Sequence, residues 1–388
     1  MNGQYKIYYA SDKNNLVESM LGVWERNEKS AYVGFCMKDK SLNVSRLPKK
    51  GECLVQRIAD FGSTTIYNQY AQYHSIADMT FMLSLLEKKY GKDNSYAAHI
   101  LNDCRLIGNC SFLMRWSDFR KLCVFLSPVY KELREKAPNS HYYLSERLIS
   151  AWIDSKLAPY IPGRNVAIVH YNTPQLIDAA IRSLMKTTTG CHVYVFDNSD
   201  ENPYKVNLPN VEIFDNTKQQ LVNFDEELAK YPDKWENDVN KSNYGSMKHT
   251  MSVDKLMKLV TEGFVLMDSD VLVTADISSL WDRRVACAGS ERVKCGVPQL
   301  EPFLCWLNVP MLKEKGISYY NGEKMWALSK TEPNQHYETG AWLLEQVRAQ
   351  HLPISYVNVW KYIVHYGHGS WRGSRANEWL KKYRHLYE

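Results

Sequence analysis

The sequence predicts an α/β protein built as two domains, and three observations predict it. From Asn165 onward, short apolar runs alternate with stretches of helical spacing, the pattern of a mostly parallel sheet covered on both faces. Ahead of residue 157, helical spacings dominate and strand-like runs are few. Between the two lies Leu157-Ala-Pro-Tyr-Ile-Pro-Gly163, where two prolines and a glycine interrupt either periodicity. A boundary is expected there, with an α-rich α/β domain over residues 1–160 and a Rossmann-like domain over 161–388.

In the first part, Lys6 to Ala10 reads as a short strand. Asn14 to Asn27 spaces Leu16, Met20, Leu21 and Val23 as a helix does. Ala31 to Met37 is a buried strand, and residues 38–63 are charged and loop-rich. Thr65 to Tyr90 reads as one helix through Tyr70, Tyr73, Ile76, Met79, Leu83 and Leu86. A short strand at Cys110 to Met114 precedes helices over Asp118 to Glu135 and Tyr143 to Lys156. In the second part, strands are expected at Asn165 to His170, Val193 to Phe196, Val211 to Phe214 and Phe264 to Met267. Helices are expected at Pro174 to Lys186, opened by its proline, and at Ser246 to Glu262. Ligands of such sheets bind beyond the carboxyl ends of the strands, so the residues just after each strand matter most.

Composition narrows the class of protein. A 45% hydrophobic content over 388 residues supports packed cores and excludes a disordered chain. A net charge of +5 suits small anionic ligands or an anionic membrane surface, and no Lys/Arg stripe points to nucleic acid. The nine cysteines are odd in number, irregular in spacing and free of any Cys-x-x-Cys pair. Reduced thiols in a cytoplasmic protein are therefore expected, without a zinc site or a disulfide framework. Met1 to Ala10 lacks the apolar core of a signal peptide, and no run of about 18 apolar residues occurs. Contact with the inner face of the plasma membrane would be peripheral, through the basic, aromatic tail that begins at Trp379.

The sharpest chemical feature is Phe264-Val-Leu-Met-Asp268-Ser269-Asp270. Four apolar residues deliver two carboxylates, two positions apart, to the end of a strand, where residues i and i+2 share a face. At about 4 Å two such charges repel by about 4 kcal/mol at an effective dielectric of 20. A divalent cation reverses that cost, and Mg²⁺ or Mn²⁺ selects such oxygen ligands and shares them with phosphates. An Asp-rich turn is the structural alternative. The first strand ends in His170-Tyr171-Asn172-Thr173-Pro174 and the second in Asp197-Asn198-Ser199. Their short polar side chains suit a base and ribose, and ordinary turn chemistry equally.

Taken together and in this order, these three strand ends resemble those of GT-A glycosyltransferases, family 2 above all, over about residues 164–371. The resemblance implies a nucleotide-diphospho-sugar transferase fold, with Asp197 facing the nucleobase and Asp268 and Asp270 on the metal and diphosphate. Lys248 and His249 open the helix that approaches the sugar nucleotide, at a helix end that favours anions. The resemblance places the general base at Glu338, within Gln335-His336-Tyr337-Glu338-Thr339-Gly340-Ala-Trp342, although the family's usual Glu-Asp pair is missing. Tyr337 and Trp342 would then stack on the acceptor. In Tyr362-Ile-Val-His365-Tyr366-Gly367-His368-Gly369-Ser370-Trp371 the histidine that completes the metal shell is His365, with His368 second. The resemblance thus implies metal-dependent transfer from a nucleotide sugar, a UDP-sugar by expectation, to a saccharide or lipid-linked saccharide. A carboxylate at Glu338 would give inversion, and without the paired acid retention stays open.

The first domain carries Tyr32-Val-Gly34-Phe35-Cys36, Thr65-Ile-Tyr67-Asn-Gln69-Tyr70 with His74 and Asp78, and Leu144-Ser-Glu146-Arg147-Leu148. These stretches resemble the family catalogued as domain of unknown function 4422, found in bacterial surface-polysaccharide glycosyltransferases. That family's His-Tyr-Arg-Arg run is replaced here by Met37-Lys38-Asp39-Lys40. The domain is therefore expected to be auxiliary or degenerate, with His74, Glu146 and Arg147 as remnants of a site or as packing residues. Two rival functions remain. A sugar-nucleotide nucleotidyltransferase would want a Gly-rich phosphate loop after the first strand, and His170-Tyr-Asn-Thr-Pro is none. A non-catalytic carbohydrate-binding scaffold would have no use for Asp268, Asp270 and His365.

Overall fold

A computed structural model describes residues 5–10, 16–27, 30–38, 42–44, 46–231, 244–294, 296–326, 337–367 and 375–388. The chain divides into two compact units, residues 1–162 and 163–388. Both have the expected α/β character.

The first unit contains β1 (Tyr5–Ala10), β2 (Tyr32–Met37), β3 (Glu52–Val55), β4 (Ile58–Asp60), β5 (Arg105–Ile107), β6 (Phe112–Arg115) and β7 (Ala158–Tyr160). Five of them form a sheet in the order β1-β2-β6-β3-β7, with β6 antiparallel to both neighbours. Its helices are α1 (Leu16–Glu25), α2 (Ile66–Ala71), α3 (Ile76–Tyr90), α4 (Ser95–Asn102), α5 (Trp116–Lys136) and α6 (His141–Lys156). Phe35 of β2 sits at the centre of the core, packed on Phe112 and Phe119.

Two expectations change here. The single helix expected over Thr65 to Tyr90 is two, because Ser75 caps a new start by accepting a hydrogen bond from the Asp78 N–H, as Thr65 does from Asn68. Part of the expected linker is strand: Ala158–Tyr160 pairs in parallel with β3. Pro159 is tolerated there because β7 lies at the edge of the sheet.

The second unit is built on β8 (Asn165–His170), β9 (His192–Asp197), β10 (Val211–Asp215), β11 (Phe264–Asp268), β12 (Val271–Val273), β13 (Cys287–Lys294), β14 (Val297–Leu307), β15 (Ile354–Tyr356) and β16 (Ile363–His365). The main sheet runs β10-β9-β8-β11-β14-β13-β15, and β14 alone runs against the rest. Its helices are α7 (Pro174–Thr187), α8 (Phe224–Ala229), α9 (Tyr244–Leu259), α10 (Val309–Glu314), α11 (Gly322–Trp326), α12 (Ala341–Ala349) and α13 (Ala376–Lys382). Strand alternation divides the core into two layers. Val166, Ile168, Val265 and Met267 pack on Ile177, Ile181 and Leu184 of α7. Ala167, Phe264 and Leu266 pack on Met247, Val253 and Leu256 of α9 and on Leu343 of α12. Complete burial of each such large side chain stabilises by about 1.5–3 kcal/mol, which fixes the register of β11 and hence the position of Asp268.

From β8 the chain moves to β9 on one side, and β11 pairs with β8 on the other. This reversal opens a crevice beyond the carboxyl ends of β8 and β11. Past it, β12 pairs antiparallel with β16, setting Val271 opposite His365. Ser183 of α7 holds this small ladder, since its buried hydroxyl accepts from the Val273 N–H at 2.9 Å and donates to the Ala180 carbonyl at 2.8 Å. Ser183→Ala would strand the Val273 N–H at a cost of about 1–3 kcal/mol. Calorimetry should therefore show the melting of the second unit lowered by about 2–10 °C; an unchanged transition would mean that the ladder is held by other contacts.

Candidate functional site

A cavity of about 550 Å³ occupies the crevice. Of the residues singled out in the sequence, His170, Tyr171, Asn198, Lys248, His249, Asp268, Ser269, Asp270, Glu338 and His365 line it. They come from strand ends, a helix start and a loop far apart in the chain, and the sheet order brings them together.

At the floor, the ligand atoms of Asp268, Asp270 and His365 all lie within 4.8 Å of one another. His365 Nε2 is 3.1 Å from Asp270 Oδ1 and 3.9 Å from Asp268 Oδ2. The ring is packed 4.8 Å from Phe303. Burial opposes a proton on His365, but the hydrogen bond and charge of Asp270, with Asp268 and Glu301, outweigh it and raise the imidazole above its ordinary value. His249 reaches in from α9, with Nε2 at 3.4 Å from Asp268 Oδ1. Two carboxylates and an imidazole converging in this way could hold a divalent cation.

Along one wall, the loops after β8 and β9 are laced together. Asn172 has φ +53°, a left-handed conformation that asparagine tolerates. Its side-chain oxygen accepts from the N–H groups of Glu201 and Asn202, and its amide donates to Asp200 at 2.5 Å. Tyr171 donates its hydroxyl to Asp200 at 2.8 Å; burial first, then this bond, push its pKa up to about 12. Asn198 spans to α9 by donating to Ser252 and accepts from Asn216. Lys248 lies within 4.5–5.5 Å of the Tyr244, Tyr171 and Phe224 ring centroids. Burial among these rings lowers its proton affinity against the pull of Asp200 and Asp225.

The opposite wall was invisible in the sequence. Gln299 and Glu301 of β14 and Arg292 and Lys294 of β13 all face the cavity. Glu301 is buried and ion-paired with Arg292 at 2.5 Å; its other oxygen has no hydrogen-bond partner. Burial pushes its carboxyl above the ordinary value, against Arg292, Lys294 and His365. Lys294 pairs with Glu338. The available signal was the pair of polar residues two apart inside the apolar run Val297–Leu307, which put both on one face of the strand.

Other expected residues lie outside the cavity wall. Asp197 is buried, and its carboxylate accepts from the N–H groups of Ser199 and Tyr204 at 3.0 and 2.7 Å. It shapes the loop, as does Asn172, while Thr173 precedes α7 without capping it by side chain. Tyr337 donates to Glu345 of α12, and the Trp342 indole donates to Ser318 at 3.1 Å. Both rings pack on Lys324, so they join α12 to the segment around Ser318. His368, like Gln335 and His336, lies outside the described residues. In the first unit the terminal nitrogens of Arg147 donate to Glu146, Gln69 and the Tyr143 carbonyl while its buried Nε has no hydrogen-bond partner, and the His74 ring packs at a tilt against Tyr70 and Tyr143.

Residues 5–157 match a family model described as Domain of unknown function (DUF4422). The resemblance expected of the first unit is thereby borne out. No curated protein matches the chain. Among solved structures it is similar to the bifunctional glycosyltransferase WbbM in its apo form, at 13% identity and a TM-score of 0.31, over 89% of this chain and 78% of that one. It is also similar to the galactosyltransferase LgtC with donor and acceptor sugar analogs, at 13% identity and 0.34, over 50% and 73%. A third is the glycosyltransferase GlyE of Streptococcus pneumoniae TIGR4, at 14% identity and 0.29, over 56% and 52%. At such TM-scores these likenesses carry no functional weight. No helix among the described residues is long and apolar enough to cross a membrane.

Gly340 positions Glu338. It has φ +89°, and a Cβ there would collide with the Leu300 carbonyl oxygen. Backbone contact thus presses the Glu338 loop onto β14 between Gln299 and Glu301. Gly340→Ala combines a disfavoured φ with a backbone clash and should cost about 1–3 kcal/mol or more, read as a lower denaturation midpoint. An unchanged midpoint would show that the loop shifts freely.

Proposed function

We propose that the second unit is a metal-dependent glycosyltransferase, which moves a sugar from a nucleoside diphosphate sugar, a UDP-sugar by preference, to a saccharide hydroxyl. The observation that carries this reading is the Asp268, Asp270 and His365 group, gathered within 4.8 Å at the floor of a cavity beyond the strand ends. Mn²⁺ or Mg²⁺ fits this oxygen-rich set, and when bound it would neutralise charge on a diphosphate. His170, Tyr171 and Asn198 offer rings and hydrogen-bond groups to a nucleoside. Lys248 and Arg292 offer positive charge to the phosphates, and Ser269 offers a hydroxyl between the two ligating carboxylates.

In the transfer, the acceptor oxygen bonds to the anomeric carbon as the bond from that carbon to the diphosphate oxygen breaks. The diphosphate leaves with the electron pair, and the acceptor proton passes to a carboxylate. Glu338 is the base in this reading, with Lys294 holding its carboxylate at the wall, and in-line attack then inverts the anomeric centre. Glu301 positions Arg292. The family likeness of the first unit supports surface-polysaccharide synthesis as the setting, with a saccharide or lipid-linked saccharide acceptor and an auxiliary role for residues 1–160. The cysteine pattern favours the cytoplasm, with at most peripheral membrane contact.

The test is a panel of nucleotide sugars read by melting temperature and donor hydrolysis. A UDP-sugar at 100 times its Kd should stabilise the wild type by about 2.7 kcal/mol in the presence of Mn²⁺. Chelation, or Asp270→Asn, should remove that stabilisation. A panel in which no nucleotide sugar stabilises the protein with or without metal rejects the reading. Glu338→Gln should keep metal-dependent donor binding and lower kcat by about 10²–10⁴; full turnover in this variant would move the base elsewhere.

A further inference from the structure

We infer that the depression beside the cavity, walled by Val293, Tyr356 and Trp360, is the acceptor subsite, and that it takes a pyranose ring of the acceptor against the Trp360 indole. This rests on the transferase reading. The large exposed apolar side chains among the described residues 163–388 are Leu259, Val293, Tyr356 and Trp360. The last three, exposed at 67%, 54% and 55%, line one depression of about 660 Å³. Single exposed apolar side chains are ordinary, whereas a cluster with a polar rim marks a binding surface.

The depression adjoins the reacting centre. Arg292 lines both hollows. The Trp360 ring packs 4.9 Å from Phe303, which packs 4.8 Å from His365, and the Trp360 and His365 centroids are 6.4 Å apart. A sugar on the indole would thus sit beside the metal-ligand group.

The Tyr356 ring and the backbone turn that carries Trp360 are held in advance. Asn358 accepts from the Trp360 N–H, while Ser290 donates to the Val357 carbonyl and accepts from the Val359 N–H, clamping the turn to β13. Arg348 donates to the Tyr356 hydroxyl at 2.9 Å and to Glu291 at 2.6 Å. Rigid rings cost little entropy on binding. A flat apolar face flanked by Glu291, Arg292 and Asn358 matches a saccharide, which has C–H faces and a rim of hydroxyls. A lipid chain would cover the Glu291–Arg348 and Arg292–Glu301 ion pairs without adding a hydrogen bond to either.

The experiment is saturation-transfer NMR on the full chain, with methyl β-D-galactopyranoside, methyl α-D-glucopyranoside and methyl α-D-mannopyranoside as probes. The wild type should transfer saturation to the ring C–H protons of at least one glycoside. Trp360→Ala should weaken that binding about tenfold and Trp360→Phe should restore most of it. Should Trp360→Ala melt early, Val293→Arg, which fills the depression from an exposed position, should give the same loss. Equal saturation in wild type and variants, or none in the wild type with all three glycosides, overturns the subsite. The UDP-sugar melting panel on the wild type is the separate arm: its failure rejects the transferase reading, whereas its success beside a Trp360-independent signal rejects the subsite alone.

Discussion

The second unit depends on holding two carboxylates together at the end of a strand that cannot move. Phe264 through Met267 are fully buried between helices on both faces, so Asp268 has no freedom to slip toward solvent. Asp270 follows in the turn to β12, with its ligand atom within 4.8 Å of that of Asp268. At separations within 4.8 Å and an effective dielectric of about 20, their repulsion is on the order of 3–4 kcal/mol, a large share of a domain's net stability. The surroundings meet that cost: β12 turns directly after Asp270 to pair with β16, which delivers His365 to within 3.1 Å of its carboxylate. His249 approaches Asp268 from α9. The buried strand, the small ladder and the helix start are three answers to one electrostatic demand, and a divalent cation would be the fourth.

Much of this was legible because buried parallel strands announce themselves. Asn165–His170, His192–Asp197 and Phe264–Asp268 are apolar runs that end in polar residues, and each ends where its composition changes. The chemistry attached to those ends was therefore visible too. Glu301 and Gln299 were not, because β14 is antiparallel and its polar residues read as ordinary solvent-facing alternates. Only the placement of β14 beside β11 turns that face toward the crevice. Tyr337 and Trp342 lie outside the cavity wall for a related reason. They flank Glu338 in sequence, yet across the left-handed Gly340 the two rings meet Lys324 while the carboxylate meets Lys294. Asp197 shows the limit of motif reading: an aspartate after a strand suits a ligand and a turn alike, and here the backbone takes both of its oxygens.

Charge in the cavity bears on the proposed role of the metal. The wall carries four carboxylates, Asp268, Asp270, Glu301 and Glu338, against Lys248, Arg292 and Lys294, and the carboxylates favour a proton on His365 while no cation is bound. Two of the three cations are committed, Arg292 to Glu301 and Lys294 to Glu338. Lys248 sits among three rings in a setting that already disfavours its charge. A diphosphate entering alone would lie against the Asp268 and Asp270 carboxylates in a partly desolvated space, where charges are poorly screened. A divalent cation on Asp268, Asp270 and His365 reverses the sign of the floor. It would also add to the charge that Lys248 and the Glu301-paired Arg292 offer the phosphates. On the proposed reading, metal dependence would follow from charge balance across the whole wall, including residues of β13 and β14 that no strand-end motif contains.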